Sequence, residues 1–230
     1  MADALRYLIF TLCCGAALTP AVPAPASAQS VRFTVFSSQV VSGLTYTPRS
    51  DQLPTSLVLY PTSRSPRYEY LGAMPLHFTD ATTHSIVAEA TVPPAIANAL
   101  VLLITIDPAP SSGLRYQTYV LDDTIARQSV GSIAIINFSG MELAGSLGGQ
   151  PLTLTPGLNS AAAIGRSASL VLRTTIKNRT YQVYAGNVEL AKNERALLLL
   201  LPPFYHGSFE VQSRLLIDAP LGPKGPARHP

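Results

Sequence analysis

Ala99-Leu100-Val101-Leu102-Leu103-Ile104 is an uninterrupted apolar run, followed by a loop rich in proline, glycine and serine and then by the partly alternating stretch Tyr116 to Asp122. The same succession returns later, where Ala196-Leu197-Leu198-Leu199-Leu200-Leu201 precedes another such loop and the stretch Phe209 to Asp218. A short run that is apolar on both faces is typical of a strand in the middle of packed sheets. We favour a strand over a helix because the first run is short and ends in β-branched residues.

The order of the pattern around each run is also repeated: alternating strand, polar turn, apolar strand, loop, alternating strand, aspartate. Aligning Ala99 with Ala196 brings Asp122 onto Asp218 after a slip of one residue. Short strands spaced about 8 to 14 residues apart, without an amphipathic helical stretch of three turns, predict an all-β protein. We therefore expect two tandem immunoglobulin-like antiparallel β-sandwiches, with one larger β-sandwich as the alternative.

The expected boundaries follow from this repeat. Residues 29–123 form the first predicted sandwich, residues 124–130 a polar linker and residues 131–219 the second sandwich. Residues 220–230 hold four prolines and two glycines, a composition that predicts a disordered tail.

Some local pairings can also be predicted. The alternating strand Val31 to Ser37 has Gln39 to Tyr46 as its expected hairpin partner, and Ser56 to Tyr60 is expected to be a short buried strand. The stretch from Arg67 to Phe78 is expected to form one edge segment interrupted by a bulge or turn at Gly72. Hairpin turns are predicted at Gly148-Gly149 and at Asn178-Arg179.

The N-terminal 28 residues have the features of a signal peptide. A positive residue, Arg6, precedes the apolar stretch Leu8 to Leu18, and the segment ends in Ala26-Ser27-Ala28. We predict cleavage between Ala28 and Gln29 and a periplasmic or secreted mature chain. No later apolar stretch reaches the 18 or more residues of a membrane helix, so no transmembrane segment is expected after cleavage.

Composition excludes several kinds of chemistry. Both cysteines, Cys13 and Cys14, lie in the predicted signal peptide, which excludes thiolate catalysis and cysteine-ligated metals in the mature chain. The net charge of +3 is dispersed and includes no basic run, so nucleic-acid binding is not expected.

No motif predicts a catalytic, cofactor or metal site. The histidines His77, His84, His206 and His229 are not spaced as metal ligands, and no Gly-x-Ser-x-Gly sequence is present. Asp107, Asp122, Asp123 and Asp218 close predicted strands, where carboxylates commonly accept hydrogen bonds from turn N–H groups. The most distinctive loop places Phe204, Tyr205 and His206 between proline and glycine, and we predict that a partner would bind there.

Tyr68-Glu69-Tyr70 with Pro75-Leu76, Leu121-Asp122-Asp123 and Gly131-Ser132 with Asn137-Phe138-Ser139 resemble a loose group of secreted bacterial β-sandwich proteins of uncharacterised function. The resemblance implies a secreted β-sandwich and supplies no site residues. A signal peptide followed by two immunoglobulin-like domains is also similar in architecture to the periplasmic chaperones of pilus assembly. That likeness implies β-strand addition and a basic residue in the cleft between domains.

These observations favour a non-enzymatic binding or structural module of the cell envelope, whose partner is an envelope protein. The alternatives are a chaperone-like protein that acts by β-strand addition and a secreted hydrolase whose site the sequence does not identify. The sequence makes no prediction of the oligomeric state.

Overall fold

The computed structural model describes residues 28–60, 62–106, 113–205 and 207–219. These residues form 17 strands and, within the same ranges, no helix. The predicted all-β class is therefore confirmed, and the strands are arranged in packed sheets as in a β-sandwich. The predicted signal peptide, apart from Ala28, and the predicted tail lie outside the described residues. None of the described residues belongs to a helix long and apolar enough to cross a membrane.

The first half of the chain builds two four-stranded sheets. Sheet A has the order β4-β1-β7-β8 and sheet B the order β3-β2-β5-β6. All neighbours in both sheets are antiparallel except β1 and β7, which are parallel. The strands are β1 Gln29–Ser37, β2 Leu44–Tyr46, β3 Thr55–Ser56, β4 Tyr68–Gly72, β5 Leu76–Asp80, β6 Ile86–Ala90, β7 Asn98–Thr105 and β8 Tyr116–Asp122.

The second half repeats this arrangement. Sheet C has the order β12-β9-β16-β17, with β13 also paired to β9, and sheet D has the order β11-β10-β14-β15. Again one pair is parallel, β9 with β16. The strands are β9 Ser132–Asn137, β10 Leu143–Leu147, β11 Gln150–Leu154, β12 Gly157–Leu158, β13 Ala162–Ala163, β14 Ser167–Ile176, β15 Arg179–Glu189, β16 Arg195–Leu201 and β17 Gln212–Asp218.

Three apolar cores hold the four sheets together as layers in the order B, A, C, D. One core lies between sheets A and B, and a second lies between sheets C and D. The third core, which we call the central core, lies between sheets A and C. It is built largely from equivalent positions of the two halves: Leu100 with Leu197, Leu102 with Leu199, Phe36 with Ile136 and Leu121 with Leu216.

This layering explains why β7 and β16 are apolar on both faces. Leu198 faces the core of its own half, whereas its neighbours Leu197 and Leu199 face the central core. The same alternation holds in β7, where Val101 and Leu102 point into different cores. Burying one such side chain contributes roughly 2 kcal/mol. The prediction that the two apolar runs are central strands is confirmed.

Two predicted strand arrangements, the hairpin of β1 with β2 and the single edge segment from Arg67 to Phe78, are wrong for one shared reason. β1 and β2 lie in different sheets, and so do β4 and β5, because the connections after β1 and β4 cross from one layer to the other. Alternation along a strand shows which face is buried but not which sheet the strand joins. The expected buried strand from Ser56 to Tyr60 is reduced to the exposed β3 Thr55–Ser56, although the adjacent Leu57 is buried.

The predicted turns agree more closely with the structure. Gly148 and Gly149 both have positive φ and connect β10 to β11, which confirms that hairpin. The other turn is centred one residue earlier than predicted, at Lys177 and Asn178, whose φ angles are 48° and 62°. Positive φ is uncommon for lysine, so the sequence analysis placed the turn at Asn178 and Arg179 instead.

Candidate functional site

Two arginines and two aspartates form a cluster at one end of the central core, in which Arg195 is fully buried and the other three side chains are 9–25% exposed. We call Arg64, Asp123, Arg195 and Asp218 the ion cluster. Arg195 is the first residue of β16 and Asp218 the last residue of β17, so both lie on sheet C. Asp123 directly follows β8, and Arg64 lies in the loop between β3 and β4. The cluster therefore joins the two halves of the chain.

The register makes the two aspartates equivalent. Asp123 donates its backbone N–H to the carbonyl of Asn98 (2.9 Å), and Asp218 lies opposite Arg195. Asn98 and Arg195 are the first residues of the equivalent strands β7 and β16. The match of Asp122 with Asp218 from the sequence was therefore wrong by one residue. The first half has an asparagine where the second half has the arginine.

Arg195 is bonded through all three of its side-chain nitrogens and is only 1% exposed. Its Nη2 donates to Oδ1 of Asp123 at 2.7 Å and to Oδ2 of Asp218 at 2.9 Å. The backbone carbonyls of Asp123, Thr124 and Gln128 accept further hydrogen bonds at 3.2, 3.2 and 3.3 Å. A buried cation with this many partners serves to hold its neighbours in place.

Arg64 is bonded less completely. Its Nη1 lies 2.5 Å from Oδ1 of Asp123 and 3.5 Å from Oδ2 of Asp218, while its side chain is 9% exposed. Its Nε is buried without a hydrogen-bond partner, and so is Oγ1 of Thr34. The four side chains carry two positive and two negative charges, so the ion cluster is balanced. Its geometry fits a junction between sheets better than a reactive centre.

Two clefts flank the ion cluster, and both are lined by Arg64 and Asp123. The polar cleft, of about 310 Å³, is lined mainly by hydroxyl and charged side chains, among them Ser63, Ser65 and Arg67. The other cleft, which we call the inter-sheet cleft, has a volume of about 320 Å³, a mixed polar and apolar lining, and reaches the central core between sheets A and C. Its further lining residues are Leu100, Leu121, Asp122, Arg127, Gln128, Ala134, Leu158, Asn159, Ser160, Ala161 and Leu197.

The predicted partner-binding loop lies at the opposite end of β16. Phe204 is 73% exposed and Tyr205 is 72% exposed, and their rings meet edge to face with centroids 4.9 Å apart. His206 lies outside the described residues. The seven residues of β16 separate this loop from Arg195 by about 20 Å, given a rise of roughly 3.3 Å per residue.

The loop is fixed at its base. Nε2 of Gln212 donates to the carbonyl of Pro202 (2.9 Å), which ties the two ends of the loop together. The N–H of Ser208 donates to the carbonyl of Tyr205 (3.1 Å), and Oγ of Ser208 accepts from the N–H of Glu210 (3.1 Å). The exposed aromatic pair thus lies in a loop whose base is tied by hydrogen bonds.

The other residues singled out in the sequence have local roles. His77 lies on β5 with its Nε2 3.5 Å from Oε1 of Glu89, and His84 has positive φ (56°) after β5. Asp122 accepts the N–H of Thr124 at 3.1 Å. Asp107 and His229 lie outside the described residues. Across the ranges that the structure describes, no group of three or more His, Cys, Asp or Glu side chains could hold a metal ion.

The motif Asn137-Phe138-Ser139 is explained by local structure. Asn137 is buried, and its Oδ1 accepts from the N–H and Oγ of Ser139, at 3.1 and 2.6 Å. Its Nδ2 donates to the carbonyl of Met141 (2.7 Å). Phe138 packs on Tyr119 of sheet A, with ring centroids 4.4 Å apart. The motif therefore shapes the turn after β9 and contributes to the central core.

No protein-family model matches the chain, and no curated protein matches it in sequence.

Sequence reasoning missed Arg64 and Arg195. A single cation next to an apolar run usually marks the exposed start of a strand, and Arg195 has that appearance. The available signal was an aspartate at the end of each half, Asp123 directly after β8 and Asp218 as the last residue of β17. Two equivalent acids at one end of two packed sheets require a cation between them if they are buried.

Proposed function

We propose that this chain is a non-enzymatic binding module of the cell envelope, secreted or periplasmic, that binds an envelope protein through the loop of Phe204 and Tyr205. The observation that carries the proposal is the exposure of this aromatic pair in a loop whose base is tied by hydrogen bonds. Large aromatic side chains are enriched at protein interfaces and frequently dominate the binding energy. The predicted signal peptide supports the location.

The two rings would lose most of their contact with water when a partner binds. Both are mostly in water, although tyrosine and phenylalanine each bury a large area when a partner covers them. The bonds at the base of the loop reduce the entropy that the tip would lose in a complex. A preorganised pair of anchors is the arrangement expected of a binding loop.

The test is capture of partners from an envelope extract by the mature chain, Gln29 onward, followed by mass spectrometry. The variant Phe204→Ala/Tyr205→Ala should lose a partner that the parent chain captures in stoichiometric amount. If each ring is an interface anchor worth about 2 kcal/mol, each truncation weakens binding roughly 30-fold.

Leu53→Ala is the control, because Leu53 is an even more exposed apolar residue (85%) but lies in the loop between β2 and β3. This variant should capture the partner as the parent does. Equal capture by the Phe204→Ala/Tyr205→Ala variant, or the absence of any specific partner, would contradict the proposed function.

The chaperone alternative gains no specific support from the ion cluster. The buried arginines Arg64 and Arg195 lie between the two halves, but both are paired with aspartates. Their charges are already compensated within the chain.

A further inference from the structure

Two residues that line the polar cleft each have a buried polar atom without a hydrogen-bond partner among the described residues. The atoms are Oγ1 of Thr34 and Nε of Arg64. Thr34 is 8% exposed and the side chain of Arg64 is 9% exposed, so both groups are more than nine-tenths buried. Buried polar atoms nearly always have a partner, and each exception needs an explanation. These two atoms point to a ligand in the polar cleft.

Backbone hydrogen bonds fix the two groups close to each other. The N–H of Ser65 donates to the carbonyl of Val35, and the N–H of Val35 donates to Oγ of Ser65, both at 2.8 Å. Each of these residues directly follows one of the two unpartnered ones in the chain. The bonds therefore hold the loop of Arg64 against the strand of Thr34. Nη1 of Arg64 is also fixed, by Asp123 at 2.5 Å.

The charges of the polar cleft favour an anion that keeps a proton. Arg64 and Arg195 balance the two aspartates of the ion cluster, and the exposed Arg67, which forms no ion pair within the described ranges, adds one positive charge. The ion cluster uses only Oδ2 of Asp218, so Oδ1 remains as an acceptor. This oxygen would repel an anion without a proton, whereas it can accept a hydrogen bond from an O–H group.

We propose that the polar cleft binds a small protonated oxyanion of the chemical class of hydrogen phosphate. The hydroxyl of Thr34 and Nε of Arg64 donate to its anionic oxygens. The guanidinium of Arg67 pairs with its charge, and its O–H group donates to Asp218. The volume of about 310 Å³ is at the small end of the range for ligand pockets, which suits a small ion. The site adjoins the ion cluster, so it is separate from the aromatic loop at the other end of β16.

Calorimetric titration of the mature chain at neutral pH tests the proposal, with inorganic phosphate and sulfate as probes at equal ionic strength. Both ions are tetrahedral, but only phosphate keeps an O–H group at this pH. Phosphate should bind at millimolar concentration or below. Sulfate should bind about tenfold more weakly or not at all, because it offers no hydrogen bond to Asp218.

Two variants remove the proposed donors. Thr34→Val keeps the shape of the side chain and should weaken phosphate binding about tenfold, the loss expected for one hydrogen bond to a charged group. Arg64→Lys keeps a cation near Asp123 but lacks Nε, and it should weaken binding by a similar factor. Because Oγ1 of Thr34 has no partner in the described part of the chain, Thr34→Val should not lower the melting temperature in phosphate-free buffer.

Two other threonines provide the controls. Thr105 also has a buried Oγ1 without a partner among the described residues but does not line the polar cleft, so Thr105→Val should bind phosphate as the parent does. Oγ1 of Thr174 donates to the carbonyl of Glu142 at 3.1 Å, so Thr174→Val should lower the melting temperature by about 2–4 °C with or without phosphate. The proposal is overturned if phosphate does not bind at millimolar concentration, if sulfate binds as tightly as phosphate, or if Thr34→Val binds phosphate as the parent does.

Discussion

Replacement of Arg195 by methionine removes the cation that joins the two halves. Methionine has a similar length and no charge, so the change leaves most of the volume filled. Asp123 and Asp218 then share Arg64 alone, which lies 3.5 Å from Asp218. The carbonyls of Thr124 and Gln128 also lose the donor that Arg195 provides. Removing one member of a buried charge network costs about 3–5 kcal/mol.

This cost is large compared with the whole stability of a domain, roughly 5–15 kcal/mol. Urea unfolding followed by circular dichroism measures it. With a slope of roughly 2 kcal/mol per molar urea, a loss of about 4 kcal/mol lowers the unfolding midpoint by about 2 M. Arg173→Met is the control, since Arg173 is exposed on β14; its effect should stay within about 0.5 kcal/mol.

A second variant separates charge balance from lost packing. In Arg195→Met/Asp218→Asn the remaining pair, Arg64 with Asp123 at 2.5 Å, is again neutral. This double variant should recover about half of the lost stability, although it carries one more substitution. The reasoning is refuted if Arg195→Met unfolds within about 0.3 M urea of the parent, or if the second substitution lowers stability further.

Two more predictions concern stability. Leu102→Ala and Leu199→Ala truncate equivalent, fully buried side chains of the central core, so each should lower the free energy of unfolding by about 2–5 kcal/mol, measured with urea. The control Leu53→Ala should lower it by less than about 0.5 kcal/mol. A large difference between the two core variants would argue against equivalent packing. Asp80 should titrate with a pKa of about 2 by NMR, because the N–H groups of Thr83 and Thr82 and then the guanidinium of Arg115 favour its carboxylate. The ionised Asp80 carboxylate stabilises the fold above the pKa of the unfolded chain, near 3.9, and this stabilisation is lost as the pH falls toward 2. Asp80→Asn should therefore reduce the loss of unfolding free energy between these pH values. An acid unfolding transition that is the same in the variant and the parent would contradict this.

The sequence predicted the features that depend on neighbouring residues. The apolar runs of β7 and β16, the turn at Gly148-Gly149 and the exposed loop of Phe204 and Tyr205 each follow from a local pattern. Their physical causes, burial on both faces, positive φ and turn composition, act over a few residues.

Features that depend on distant partners could not be predicted in the same way. The burial of Arg195 depends on Asp123, which is 72 residues away in the chain. The inter-sheet cleft exists only because sheets A and C face each other, so its lining residues, which come from both halves of the chain, could not be grouped from the sequence. The assignment of β1 and β2 to different sheets also depends on the whole fold.

The ion cluster also helps to explain how the equivalent faces of sheets A and C pack on each other within one chain. Equivalent surfaces packed on each other are the arrangement of a symmetric dimer, and such faces can in principle pair between chains. Here the connector between β8 and β9, residues 123–131, keeps the two halves close together, which raises their effective concentration. Arg195 binds three carbonyls of this connector, and Nε2 of Gln128 donates to the carbonyl of Ala196 (2.6 Å). Because asparagine stands at the equivalent position in β7, these bonds form in one half only, and they fix the connector against the start of β16. The arginine therefore holds the connector, and through Asp123 the end of sheet A, against the start of β16.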